Sequence, residues 1–175
     1  HLFGVRYEGF IDLRPTGEAD EETGLPVFRY LQTDATFHGF ETEVSYRLWT
    51  DGGRSFRLEG AADYVRGDTD LGAPARIPPW SAALRGVFEG GWWTGQLEAR
   101  RVGEQERVAE FELPTDGYTM LNASLTVRPL KDEGFKVFLD ARNLTDTEAR
   151  EHASFLKDLA PLPGRNVRLG VAYSF

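Results

Sequence analysis

Cysteine is absent from the 175 residues, so a metal held by this sequence must rest on histidine and carboxylate. Zinc accepts that mixture in a tetrahedral set, whereas a hard cation prefers carboxylate oxygens alone. The candidates are His38, in a segment that alternates like a strand, His152, in a long connection, and the acidic run Glu18, Asp20, Glu21 and Glu22. None has the spacing of a ligand motif. The acidic run reads first as a solvated surface loop, because clustered like charges seek water. A solitary His152 reads first as a structural loop residue, and His38 as a wall residue beside Thr36 and Phe40. Catalysis has less to work with. Ser154 lies close to His152 in the chain, but near neighbours in a loop rarely reach the geometry that a base and nucleophile require. A nucleophile elbow, a phosphate loop and a metal-hydrolase helix are all missing from the sequence, so an enzyme is not expected. The Asn122-Ala-Ser124 and Asn143-Leu-Thr145 triplets match glycosylation acceptors but are too short to carry weight.

The segments that position these residues alternate with period two, which predicts strands. Phe3, Val5, Tyr7, Gly9, Ile11 and Leu13 oppose Arg6, Glu8 and Asp12, and Phe40, Val44, Tyr46 and Leu48 oppose Glu41, Glu43, Ser45 and Arg47. The same pattern sets Phe56, Leu58, Ala62 and Tyr64 against Arg57, Glu59 and Asp63, and Trp80, Ala82, Leu84 and Phe88 against Ser81, Arg85 and Glu89. Trp93, Leu97 and Ala99 then oppose Gln96, Glu98 and Arg100, and Leu121, Ala123, Leu125 and Val127 oppose Asn122, Ser124, Thr126 and Arg128. The last two segments place Phe135, Val137, Leu139 and Ala141 against Lys136, Asp140 and Arg142, and Val167, Leu169, Val171, Tyr173 and Phe175 against Arg168 and Ser174. About eight strands are expected.

Connections between these strands alternate in length. Short ones fall near 50–54, 90–91 and 129–133, and long ones near 14–26, 67–78, 104–116 and 143–163. Every short turn therefore lies at one end of the sheet and every long loop at the other. An up-and-down transmembrane β-barrel has that form, with short periplasmic turns and long extracellular loops. Trp49, Trp92, Trp93, Phe135 and Phe175 cluster at the short-turn end, and Tyr30, Trp80 and Tyr118 near the long-loop end, where barrels carry aromatic girdles. The charged face pairs opposite signs from strand to strand, as with Glu59 and Arg85, and needs water or matched partners.

Composition agrees. The chain is 41% hydrophobic, 13% aromatic and rich in glycine, which suits short strands and tight turns, and no shift in composition marks a second domain. A net charge of -8 excludes a nucleic-acid binder, since neutralising phosphates requires a basic face. No apolar run reaches the roughly 18 residues of a transmembrane helix, but strands that show one face to lipid escape that test. Because the sequence opens at His1 inside a strand-like pattern, it reads as a fragment.

From Tyr118 onward the residues become specific: Asp116-Gly-Tyr118, Ala141-Arg-Asn143-Leu-Thr-Asp146, His152-Ala-Ser-Phe155-Leu-Lys-Asp158 and Pro161-Leu-Pro-Gly-Arg165-Asn166. This stretch, with the final strand and its aromatic end, resembles the C-terminal barrel portion of TonB-dependent outer-membrane receptors. Together with Leu13-Arg-Pro-Thr-Gly17 and Leu25-Pro-Val-Phe28-Arg29-Tyr30, it most resembles the zinc-uptake subgroup. The resemblance covers essentially the whole chain, but only about the last third of a family barrel of about 22 strands. It implies a gated importer of a scarce nutrient, a metal ion such as zinc or a metal chelate or siderophore, in the bacterial outer membrane. Its implied partners are outer-membrane lipid, the rest of the receptor with its plug domain, TonB acting through that plug, and the outer-membrane assembly machinery, which reads a terminus such as Val171, Tyr173 and Phe175. No resident cofactor is expected, a metal being cargo. In the family pattern Arg165 locks the last loop onto the barrel rim, with Asp158 as a suitable bidentate partner.

Two alternatives stay open from sequence. A free-standing barrel of about eight strands, structural or adhesive, would close Leu2–Leu13 onto Arg165–Phe175, and a soluble lipocalin-like binder would turn the apolar face inward.

Overall fold

The structure is a computed structural model that describes residues 1–110, 112–129 and 134–174. One antiparallel sheet contains eight strands in chain order: β1 (Leu2–Ala19), β2 (Pro26–Asp51), β3 (Arg54–Thr69), β4 (Ser81–Glu89), β5 (Trp93–Val102), β6 (Tyr118–Val127), β7 (Phe135–Arg142) and β8 (Asn166–Tyr173). Each strand pairs with its chain neighbours, and β1 and β8 are not paired with each other among the described residues. The all-β, up-and-down architecture expected from the alternation is therefore the one observed.

Register converts the period-two pattern into two continuous faces. Tyr46, Leu58, Gly86, Leu97, Ala123, Ala141 and Val167 stand opposite one another in turn across seven strands. On the other face the matching row runs Ser45, Glu59, Arg85, Glu98 and Asn122, and a second runs Gln96, Ser124, Asp140 and Arg168. The grooves of the sheet lie on this charged face. The apolar face stays open, with Leu84 53%, Leu97 58% and Leu169 71% exposed. A soluble binder would pack such side chains inside. A buried apolar cluster instead sits at the long-loop end of the sheet, where Val102 and Tyr118, at the ends of β5 and β6, and Ala149 meet Met120 and Leu162.

Three of the four connections expected to be long are so, 70–80, 103–117 and 143–165, with the short ones at the opposite end, and the first is the exception. Rather than spanning 14–26, the first long connection shrinks to 20–25, because β1 continues to Ala19 and β2 begins at Pro26. Its acidic run folds into a turn in which Asp20 Oδ1 accepts hydrogen bonds from the Thr23 N–H and hydroxyl at 2.8 and 2.7 Å. Those donors hold the Asp20 carboxyl below its usual range. At the opposite end, Gly52 and Gly53 both adopt positive φ, 53° and 78°, and close β2 onto β3 with a two-residue hairpin.

Two bulges alter the parity. Between Tyr7 and Phe10 the register slips by one residue, with Gly9 at φ 72° supplying the left-handed conformation. Phe3, Val5 and Tyr7 consequently share a face with Glu41 and Glu43, whereas Ile11 and Leu13 lie on the opposite one. The single face that alternation assigns to Phe3 through Leu13 is thus split. Tyr7, Phe10 and Phe37 form a cluster on the charged side with ring centroids 5.4–6.0 Å apart. A second slip between Arg47 and Trp49 makes Leu48 the extra residue and puts Trp49 on the apolar face.

Close packing makes Gly39 specific. A Cβ there would stand 2.1 Å from the Tyr64 carbonyl oxygen and 2.7 Å from the Phe3 ring, whereas Gly4 has open space around it. Gly39→Ala should cost about 1–3 kcal/mol in denaturant unfolding, as overpacking against backbone does. Gly4→Ala should stay within about 0.5 kcal/mol.

Candidate functional site: a charged wall beneath locked loops

Antiparallel pairing brings opposite charges from neighbouring strands side by side. Arg85 of β4 reaches Glu59 of β3 at 3.3 Å and Glu98 of β5 at 2.5 Å, and Asn122 of β6 donates to Glu98 at 3.0 Å. Arg57 adds a 2.7 Å contact to Glu59, and Arg168 of β8 meets Asp140 of β7 at 2.5 Å. Two grooves run over this wall. One of about 450 Å³ is lined by Glu43, Glu59, Arg85 and Glu98, and one of about 240 Å³ by Gln96, Ser124, Asp140 and Arg142. A polar surface of balanced sign keeps water and hydrated solutes beside it without attracting one sign strongly.

Above the wall, the three long connections 70–80, 103–117 and 143–165 are tied by buried polar groups. Glu112 accepts hydrogen bonds from the backbone N–H groups of Arg76, at 3.0 and 3.3 Å, and Ala109, at 3.1 Å. Lys157 Nζ stands 3.1 Å from Glu112 Oε1 and donates to the Leu113 carbonyl at 2.6 Å. Burial opposes the Glu112 charge, but the Ala109 N–H, Lys157 and the Arg76 N–H outweigh it and keep the carboxyl below its usual range. His152 is 1% exposed in the same cluster. Its Nδ1 lies 2.9 Å from Thr115 Oγ1 and 3.4 Å from Lys157 Nζ. Its Nε2 is 3.3 Å from Glu112 Oε1 and, among the described residues, has no partner in hydrogen-bonding geometry. Burial first, and then Lys157, push the imidazole below its ordinary pKa.

The final long connection is anchored by the turn that opens it. Asn143, at φ 49° and buried, donates through Nδ2 to the carbonyls of Thr147 and Pro163 at 2.9 and 3.2 Å, and its Oδ1 accepts from the Thr147 N–H at 3.0 Å. Asp146 then receives the Arg165 backbone N–H at 2.8 Å and its guanidinium at 3.4 Å. These contacts hold the Asp146 carboxyl below its usual range. Arg165 thus fastens the loop to Asp146 rather than to Asp158, which is exposed. The reason is local, since the left-handed turn at 143–146 delivers its carboxylate directly to the start of β8.

The remaining sequence candidates occupy separate places. His38 is exposed on β2, in register with Gly4 and Arg66, and is not brought to His152. Among the described residues no group of three or more histidines and acids could hold a metal ion. Trp49, Phe88 and Trp93 form an aromatic row on the apolar face near the short turns, with centroids 5.8 and 4.5 Å apart, and Trp92 is exposed in the 90–92 turn. Trp80 is exposed beside Gly103, at the long-loop end. Tyr118 is 4% exposed and packs inward under the loops, so it does not join an outward girdle. Val171 and Tyr173 stand exposed on the apolar face of β8, and Phe175 lies outside the described residues. Asn143, Asp146, Glu112 and Lys157, which hold the outer end together, escape sequence reasoning. The first two lie in a motif that sequence reading marks without giving them roles, and the last two meet across 45 residues with no periodic signal.

No protein-family model matches the chain. It is similar in structure to the copper transporter OprC, with a TM-score of 0.83 at 23% identity over 98% of this chain and 28% of that one. It is also similar to the FrpB iron transporter from Neisseria meningitidis, F3-3 variant, with a TM-score of 0.72 at 15% identity over 99% of this chain and 27% of that one. The chain therefore spans little more than a quarter of either transporter, and at these identities the likeness is one of fold.

The anchoring geometry gives a ranked expectation. Asn143→Ala leaves the part-buried carbonyls of Thr147 and Pro163 without their donor and the Thr147 N–H without its acceptor, so it should destabilise by about 1–3 kcal/mol. Asp146→Ala removes an exposed contact and should cost under about 1 kcal/mol. Limited proteolysis of 143–165 should follow the same order, with Asp158→Ala leaving the attachment of Arg165 unchanged.

Proposed function

We propose that this chain is the C-terminal part of the barrel wall of a TonB-dependent outer-membrane receptor that imports a metal ion or metal chelate, zinc being the cargo the sequence favours. The observation that carries the reading is the pair of opposed faces. An apolar face with large side chains exposed suits lipid, and a charged, grooved face of balanced sign suits a wet lumen. The sorted loops and the fold shared with a copper and an iron transporter support it. Among the described residues β1 and β8 do not pair with each other, which fits a wall segment better than a closed eight-stranded barrel, because a sheet edge invites pairing with further strands. On this reading the plug, TonB and the assembly machinery are partners of the whole receptor, and no residue here is assigned a catalytic role. His38, on the outward row with Phe40 and Tyr46, and His152, buried beneath the loops, do not line the charged wall.

The lipid assignment is separable from the cargo. Leu97→Arg, at the centre of the apolar row, should cost about 2–4 kcal/mol and lower assembly into outer membranes, while Ser124→Lys, facing Asp140 on the other side, should cost under about 1 kcal/mol. Equal tolerance of both would contradict the placement of the faces. For cargo, cells deleted for the complete gene should lose uptake of radioactive zinc, copper or iron, and should regain it on complementation only when TonB is present. Unchanged uptake of all three, free or chelated, would remove the metal-import reading.

A further inference from the structure

Glu112, His152 and Lys157 bind three outer connections into one unit, because Glu112 and Thr115 belong to 103–117, His152 and Lys157 to 143–165, and the Arg76 N–H to 70–80. The arrangement resembles a metal site at first sight, with a buried histidine nitrogen facing a carboxylate. Lys157 rules that use out, since its ammonium already occupies the cation's place, 3.1 Å from Glu112 and 3.4 Å from the ring. The protonation state follows from the same contacts. An ammonium can only donate, so its approach calls for a bare Nδ1; the Thr115 hydroxyl, able to donate or accept, then donates to it, and the proton of a neutral imidazole sits on Nε2, towards Glu112. A second proton would have to enter at Nδ1, against Lys157. We propose that His152, Glu112 and Lys157 form a proton-released clamp that holds the three outer connections together at neutral pH and frees them on acidification.

Every charged group around the ring enters the balance. Burial and Lys157 favour the neutral ring, and Glu112 and exposed Asp158 oppose them less strongly. Arg76 directs its guanidinium over the Phe155 ring, 3.9 Å from the centroid, and Arg150 is held by Glu148 and the Lys157 carbonyl. Neighbouring Glu151 leaves the sign unchanged. A base with a lowered pKa in the fold contributes its full stability above the ordinary histidine value of 6.5, and that contribution is lost as pH falls below it. A carboxylate with a lowered pKa, such as Glu112, keeps its contribution down to the ordinary value of 4.5. As pH falls below 6.5 the histidine contribution is therefore the first of the trio to decline. The clamp also lines a groove of about 280 Å³ through Glu112 and Lys157, together with Leu13, Arg76, Phe155 and Asp158, so release dismantles one wall of that space.

Hydrogen–deuterium exchange on the complete membrane-embedded protein, corrected for intrinsic rates, tests the clamp at about pH 7.5 and about pH 5. Peptides from 103–117 and 143–165 should exchange at least about fivefold faster in acid, while peptides from β4 and β5 stay constant. His152→Gln, which cannot titrate, should make exchange in both segments independent of pH. Lys157→Met should either shift release to higher pH or leave the segments open throughout. Wild-type exchange that is equal at both pH values, an undiminished acid response in His152→Gln, or release at unchanged pH in Lys157→Met would each overturn the proposal. None of these outcomes depends on which nutrient is imported.

Discussion

The organisation of this chain depends on a fixed register across eight antiparallel strands, because only a fixed register keeps Glu59, Arg85, Glu98 and Asn122 on one side and Leu58, Leu97, Ala123 and Val167 on the other. A slip of one residue in β4 would carry Leu84 towards Glu59 and Arg85 onto the apolar face. The ion pairs themselves contribute little energy, since partly exposed pairs are worth under about 1 kcal/mol each. Their effect is on specificity. Backbone hydrogen bonds supply the cohesion, and the charged rows make every alternative register expensive.

Much of this was legible in the sequence, because period two survives translation into a sheet without tertiary information. Strand number, the length of three of the four long connections and the faces of β3 to β8 all follow from it. Legibility fails where backbone geometry intervenes. Parity cannot reveal that Gly9 inserts a bulge, so Phe3 and Ile11 were expected on one face although the sheet separates them. The run 14–19 reads as loop because Pro15 and Gly17 are turn formers, yet it continues as strand, with Arg14 buried against Asp12 at 2.7 Å and Thr69 at 3.1 Å. Tyr118 has the residue type of a girdle and the parity of the inner face, and parity decides.

The outer end obeys different physics. A sheet that leaves its apolar face exposed has little core with which to order its loops, and the buried apolar cluster there is limited to Val102, Tyr118 and Ala149 with Met120 and Leu162 against them. Order comes instead from buried polar groups: Asn143 across its own turn, Arg14 with Asp12, and Glu112 with Lys157 and His152. The ties of Glu112 to Lys157 and His152 join residues far apart in sequence and leave no periodic trace. They can be located only after the strands have brought the connections together.

Polar order of this kind has a property that hydrophobic order lacks. Burying a leucine stabilises a fold about equally at every pH, whereas a buried carboxylate, ammonium and imidazole hold together only in one protonation state. The apolar row from Leu58 to Val167 holds no titrating side chain, and the ties above it do. A loop end built this way can change its mobility while the sheet beneath keeps its register. Lys157 is the residue that makes the separation sharp: replacing its ammonium with a metal ion would demand a deprotonated ring and tighten the loops, whereas the ammonium already present makes a second proton on His152 the event that loosens them.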